Sequence, residues 1–282
     1  MFHVLAAGML CVGVAAAGEH PLHGVDLAHS IMASTSAGAL VAKVVHVELN
    51  ARDQGHFMYR DWRQSPEGTK TKEMIETSDG GAALLVAVDE QPLTPKQRAA
   101  EVAGLRTLLG HPEVQKRRQK EQEQDDERVR KMFRELPQAF LYQYESAAAS
   151  PEGAVIKMTF SPNPAYEPPA RETYVYRAMN GTLEVSVPDY RLVSMEGKLF
   201  REVIFGWGLL GHLDKGGHFF VRQSKIGPHR WETTYMNIQF TGKMLLFKTI
   251  NLREVEKLSD FQPVPDGLTL AQGIERLEET VN

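Results

Sequence analysis

The chain has 282 residues, of which 42% are hydrophobic and 24% are charged, as in ordinary globular proteins. Its formal net charge of −4 is the sum of many mixed charges, which excludes the class of proteins that bind nucleic acids through one strongly basic surface. The length is sufficient for one large domain or two small domains with a sizeable core.

The first residues of the chain have the pattern of an export signal. Residues 1–17 form a short apolar run that ends in Ala15, Ala16 and Ala17, and such an ending is typical of an A-x-A cleavage site. We therefore expect cleavage after Ala17 and a periplasmic protein; a buried N-terminal helix is the alternative, because no Lys or Arg precedes the apolar part. The single cysteine, Cys11, lies in this run, so the mature chain would have no disulfide and no thiolate ligand. No later apolar run reaches about 18 residues, so we expect no transmembrane segment after cleavage.

The N-terminal half predicts helices around a short strand meander. Apolar residues recur at intervals of three and four over residues 25–50, which predicts one amphipathic helix, interrupted, if at all, near 34–36. Three strands are predicted from Gly55 to about residue 89. Thr94 and Pro95 are a typical N-cap and first helical residue, so the next helix runs from there to about Leu109.

A long charged segment follows and completes a helical insertion at about 94–136. Lys116, Arg117 and Arg118 could attract a nucleic acid or an anionic lipid, but the acidic residues that follow over 121–127 offset them at helical spacing. We therefore predict a solvated helix that is anchored only at its last turns; if the segment has a role, it acts as a lever or a partner surface that projects from the body.

After Pro137, strand patterns joined by short turns predict an antiparallel meander, and the fold class is α+β. Alternation gives the hairpin at 181–199 one apolar face, and this pattern continues into later strands. We therefore predict a curved sheet whose apolar concave side is covered by helices. These residues are predicted to line a cavity: Leu183, Val185, Val187, Val193, Met195, Leu199, Phe219, Val221, Met236, Ile238 and Phe240.

The hairpin and its surroundings resemble the LolA-like superfamily, the fold of outer-membrane lipoprotein-sorting proteins. The motif is a turn with Asp189 followed by Tyr190, Arg191, Leu192 and Val193, in a chain ordered as helix, meander, helical insertion and second meander. The likeness is closest to uncharacterised exported bacterial members of the superfamily. It is carried by the segments FGWGLL (205–210), KGGHFFV (215–221), LLFK (245–248) and SDF (259–261).

This resemblance covers residues 136–263 closely and the N-terminal half in its order of elements. It implies an unclosed half-barrel that is covered by helices and holds acyl chains in an apolar cavity. We expect one such domain over 18–263 and a helical C-terminal tail over 264–282. The long charged insertion is a departure from the lipoprotein carriers.

The sequence contains no G-x-S-x-G, no H-E-x-x-H and no Gly-rich phosphate loop, so it predicts neither an enzyme nor a cofactor. His20, His23 and His29 are close in sequence, but their spacing matches no standard metal site. We predict a non-enzymatic periplasmic carrier of a lipid, an acyl chain or another apolar ligand. The alternative is an envelope interaction or sensor module with a filled core and a protein partner.

The segment at 205–210 is expected either to form a lip over the cavity or to seal the sheet as a buried loop. Its large apolar residues are Phe205, Trp207 and Leu209, and the glycines between them permit a tight or mobile backbone.

Export should remove the first 17 residues. N-terminal sequencing of protein recovered from the periplasm is expected to start at or near Gly18. Recovery of cytosolic protein with Met1 intact would contradict the expected localisation.

Overall fold

The structure is a computed structural model that describes residues 21–51, 55–78, 80–151, 153–205, 211–228, 230–244 and 248–280. The expected signal peptide, residues 1–17, lies outside the described residues. Within these ranges the chain is α+β, with one antiparallel sheet and helices packed on it, as the sequence predicts.

The sheet has thirteen strands. They are β1 (His56–Ser65), β2 (Gly68–Thr77), β3 (Gly80–Val88), β4 (Gln91–Pro92), β5 (Phe140–Ser150), β6 (Gly153–Pro162), β7 (Met179–Ser186), β8 (Leu192–Leu199), β9 (Val203–Phe205), β10 (Gly211–Leu213), β11 (His218–Gly227), β12 (Arg230–Met244) and β13 (Lys248–Val264). Their order is β4-β3-β2-β1-β13-β12-β11-β8-β7-β6-β5, with β10 added to the end of β12 and β9 added to β10. Because β4 and β5 are separate edges, the sheet does not close into a barrel.

The helices come from three parts of the chain. They are α1 (Pro21–Ser34), α2 (Ala37–Asn50), α3 (Pro95–Leu109), α4 (Pro112–Ala139), a 3₁₀ helix (Arg171–Ala178) and α5 (Leu270–Glu279). Thr94 caps α3 in a reciprocal capping box with Gln97, and Pro95 is its first residue.

The predicted N-terminal helix is interrupted where its serines lie. The Ser36 side chain accepts a hydrogen bond from the amide of Ala39 and starts α2 as a new helix. No single helix among the described residues is long and apolar enough to span a membrane; α1 from Gly24 and α2 meet the length and composition together but are bent by 118°. The face of α2 that includes Leu40 and Val44 is buried against the sheet.

A buried ion pair fixes α2 to the turn between β7 and β8. Glu48 near the end of α2 lies 3.0 Å from the Arg191 Nε, and its other oxygen accepts a hydrogen bond from the Leu192 amide. Both charged side chains are about nine-tenths buried, and the Arg191 guanidinium also lies over the Trp231 ring. Arg191 and Leu192 of the motif at 189–193 therefore hold α2 against the sheet.

Two hydrophobic clusters lie on opposite faces of the sheet. The main cluster joins α1, α2 and the end of α4 to β6, β7 and β8. The second joins α3 and α5 to β2 and β3 through Ile75, Leu84, Leu105, Ile274 and Leu277.

The strand registers show which face each cluster occupies. Met236 pairs with Glu256, Glu256 with Arg63, and Arg63 with Lys70, so these four side chains share the face of the main cluster. Ile75 lies five positions beyond Lys70 on β2 and therefore points to the other face.

The charged helix α4 is held at both ends. At its start the Gln115 side chain donates to the Leu108 carbonyl of α3, which packs into the second cluster, and at its end Leu136 is buried in the main cluster. Residues 116–126 are exposed, as the sequence predicts. The expected anchoring at the last turns alone is wrong for these described residues: α4 spans from one cluster to the other over about 42 Å for its 28 residues.

A row of glycines and aromatic rings crosses four central strands. Phe160, Gly181, Gly197 and Phe219 are consecutive partners in the register of β6, β7, β8 and β11. A Cβ on Gly181 would lie 1.8 Å from the Glu196 carbonyl oxygen, and one on Gly197 would lie 2.4 Å from the Phe219 ring. A backbone carbonyl at 181 and an aromatic ring at 197 occupy the space that a side chain would need, so both positions require glycine.

Single substitutions should separate the exposed and anchored parts of α4. Arg117→Ala is expected to change the free energy of unfolding by less than about 0.5 kcal/mol, because its side chain is exposed. Leu136→Ala should cost about 2–5 kcal/mol by leaving a void in the main cluster. Urea denaturation of both variants measures the difference, and a large loss for Arg117→Ala would show that the middle of α4 is packed.

Candidate apolar binding cavity

A cavity of about 640 Å³ lies between the sheet and the end of α4. Its lining is apolar except for Arg171, Glu172 and Lys243. The apolar lining residues are Val129, Met132, Phe133, Leu136, Val175, Tyr176, Met179, Leu192, Met195, Phe205, Leu213, Phe219, Val221, Ile238, Phe240, Met244 and Ile250. The volume is within the range of about 300–1,000 Å³ that is usual for ligand pockets.

Strands β8, β11 and β12 form the floor of the cavity. Met195 pairs with Val221, and Phe219 pairs with Ile238, so these four side chains form two adjacent rows on one face. Phe240 extends that face along β12. All but Met195 are only half-buried, because their inner surfaces face the open space rather than packed atoms.

The opposite wall comes from the last turns of α4 and the 3₁₀ helix. The hydroxyl of Tyr176 donates to the Met132 carbonyl, and that of Tyr142 donates to the Leu136 carbonyl, which tie the two helices and β5 together. Burial raises the pKa of Tyr176 above its ordinary value, so its hydroxyl stays protonated and keeps donating. The hydroxyls of Tyr176 and Tyr142 are therefore both paired within the wall.

The charged residues that line the cavity occur together with apolar lining residues that are exposed to solvent. The Arg171 guanidinium lies 5.5 Å from the centre of the Phe205 ring. Val129 and Met244 line the cavity and are also exposed to solvent, which marks the opening. An apolar group inside would therefore meet a boundary that offers two cations, Arg171 and Lys243, and one carboxylate, Glu172.

The structure brings together about half of the residues that the sequence predicts for this site. Met195, Phe219, Val221, Ile238, Phe240 and Phe205 line the cavity. Leu183, Val185, Val187 and Leu199 are buried in the main cluster and do not line the cavity. Met236 is half-buried but does not line it either, and Trp207 and Leu209 of the expected lip lie outside the described residues.

Val193 is a correction with an identifiable cause. The register shifts between Glu184 and Val185, so Leu192 rather than Val193 lies opposite Val185. Leu192 lines the cavity, whereas Val193 packs in a separate cluster with Val155 and Trp231. The prediction assumed that side chains alternate strictly along β8, and that assumption could not reveal this bulge.

The apolar face ends within β13, after Ile250. Met236 and Ile238 have Glu256 and Glu254 as their partners across the strand pair, and both carboxylates form ion pairs with Arg63 of β1. The same face of the sheet is therefore apolar under α4 and charged at Glu254 and Glu256, and these charges limit the cavity on that side.

Comparisons with known proteins find a structural neighbour but no sequence match. Neither a protein-family model nor a curated protein sequence matches the chain. Among solved structures, the chain is similar to a domain from Vibrio parahaemolyticus that is named for outer membrane lipoprotein sorting, with 9% identity and a TM-score of 0.31 over 92% of this chain and 100% of that domain. A TM-score of 0.31 carries no argument about the fold. The description of the sheet as an open half-barrel is therefore based on the strand order of this chain.

Truncations should distinguish the packed core from the cavity wall. Leu199→Ala is expected to lower the free energy of unfolding by about 2–5 kcal/mol, because Leu199 is fully buried. Ile238→Ala should cost about 1 kcal/mol, because part of its surroundings is already empty. Equal losses in urea denaturation would indicate a filled core at Ile238.

Proposed function

We propose that this protein is a non-enzymatic periplasmic carrier that binds a lipid or a protein-linked acyl chain in the apolar cavity. The observation that carries the proposal is the lining, in which every residue except three charged ones is apolar. Apolar cavities of this kind stay dry and bind apolar molecules, because water gains no hydrogen bonds inside them.

The distribution of charge supports a ligand with two parts. An extended hydrocarbon chain fits between the sheet floor and the helical wall, where it would bury apolar surface at roughly 25 cal/mol per Å². Its polar end would remain near Arg171 and Lys243. A purely polar substrate would lose its hydration in the interior without compensation.

The periplasmic setting and a delivery partner in the envelope belong to the same proposal. They rest on the apolar run at residues 1–17 and on the family resemblance. The alternative is an interaction module without a ligand, and it predicts that no lipid probe binds.

A matched pair of lysine substitutions on β12 tests the proposal. Ile238→Lys puts an ammonium group in the cavity floor, whereas Met236→Lys puts the same group two residues along the same face, outside the cavity. Each lysine has a glutamate as its cross-strand partner, Glu254 or Glu256, so both charges can be paired and the fold should persist.

Binding of a fluorescent fatty acid to the delipidated protein is the measurement, with circular dichroism to check the fold. The parent and Met236→Lys are expected to bind the probe with similar affinity, and Ile238→Lys to lose at least tenfold. Failure of the parent to bind, or unchanged binding in a folded Ile238→Lys variant, would contradict the carrier function.

A further inference from the structure

The short hairpin of β9 and β10 has a second face that the cavity does not use. Its register pairs Val203 with Leu213 and Ile204 with His212. Phe205 and Leu213 line the cavity, and alternation therefore directs Ile204 and His212 outward. Ile204 is 56% exposed, in agreement with that orientation.

The same alternation brings two carboxylates to His212. Extending the register by one pair sets Glu202 beside Asp214, on the outer face with His212. The His212 Nε2 lies 3.3 Å from the Asp214 Oδ1 and 3.7 Å from the Glu202 Oε1. The three ligand atoms all lie within 4.8 Å of one another.

These separations suit a common metal ion. Nitrogen and oxygen ligands bind Zn²⁺ at about 2.0–2.2 Å, and two such ligands of a tetrahedral ion are about 3.4 Å apart. One imidazole and two carboxylates are a donor set that zinc accepts, with the fourth position left for water.

Strand β12 holds one of the ligands in position. The Thr241 hydroxyl donates to the Asp214 Oδ2 at 2.6 Å, and the Asp214 amide donates to the Thr241 carbonyl at 2.9 Å. The second carboxylate oxygen, Oδ1, is the one directed at His212. Hydrogen bonds of this type orient metal ligands and raise affinity.

We propose that Glu202, His212 and Asp214 form a binding site for a divalent transition metal, with Zn²⁺ as the best-suited ion. The bound ion joins Glu202, directly before β9, to His212 in β10 and Asp214 directly after β10. It thereby fixes the hairpin whose inner face includes Phe205 and Leu213. The site is separate from the apolar cavity and does not depend on the proposed carrier function.

Isothermal titration of the untagged mature protein with zinc chloride at pH 7.5 tests the site. The parent is expected to bind one zinc ion that His212→Ala and Glu202→Gln do not bind. Thr241→Val should weaken the same site by about 10–100-fold, because it removes only the orienting hydrogen bond.

The matched control is His56→Ala. His56 also lies beside a carboxylate, Asp266 at 3.7 Å, but among the described residues it belongs to no group of three metal-ligating side chains. This variant should keep the full zinc stoichiometry. Histidines elsewhere in the chain contribute equally to the parent and the variants, so the difference in stoichiometry isolates the site.

Two results would overturn the proposal: a parent that binds no zinc, and a His212→Ala variant that keeps the parent stoichiometry. Glu202 is exposed, so Glu202→Gln is expected to fold normally and gives the same decision if His212→Ala loses its circular dichroism spectrum.

Discussion

The apolar face of this sheet is wider than the helices that cover it, and the main features of the molecule depend on that mismatch. Helix α1 packs on β5 and β6 and α2 packs on β5, and the inward side chains of β6, such as Ile156 and Met158, are fully buried there. Over β11 and β12 the described cover consists of the end of α4, the 3₁₀ helix and the β9–β10 hairpin, and the floor there is half-buried. A face that is apolar but incompletely covered leaves an apolar cavity, and the ion pairs of β13 with β1 mark where the apolar face stops.

The cover is nevertheless held firmly. The Glu48–Arg191 pair connects α2 to the sheet, and the desolvation of both groups makes their separation costly. Helix α4 is restrained by α3 at one end and by the main cluster at the other, so its exposed middle does not imply a free helix. The cavity is thus bounded by elements with fixed anchors on both sides.

Periodicity in the sequence was sufficient to predict the α+β class, the order of the elements and five of the cavity residues on β8, β11 and β12, because a period of two is visible in any regular strand. It failed at Val193, where a bulge changes the face, and it did not predict Met132, Phe133 and Val175, whose helices meet the sheet only in three dimensions. The Glu202, His212 and Asp214 cluster was missed because its members are separated by a hairpin connection and form no recognised motif.

The row of Phe160, Gly181, Gly197 and Phe219 has a consequence for how this chain can diverge. At Gly197 the Phe219 ring lies where a side chain would be, whereas at Gly181 the Glu196 carbonyl oxygen lies nearest, 1.8 Å from the position of a Cβ. Neither Gly197 nor Phe219 can change alone without a clash or a void. In related chains a residue larger than glycine at 197 is therefore expected together with a smaller one at 219, while position 181 is expected to stay glycine because a backbone carbonyl blocks it.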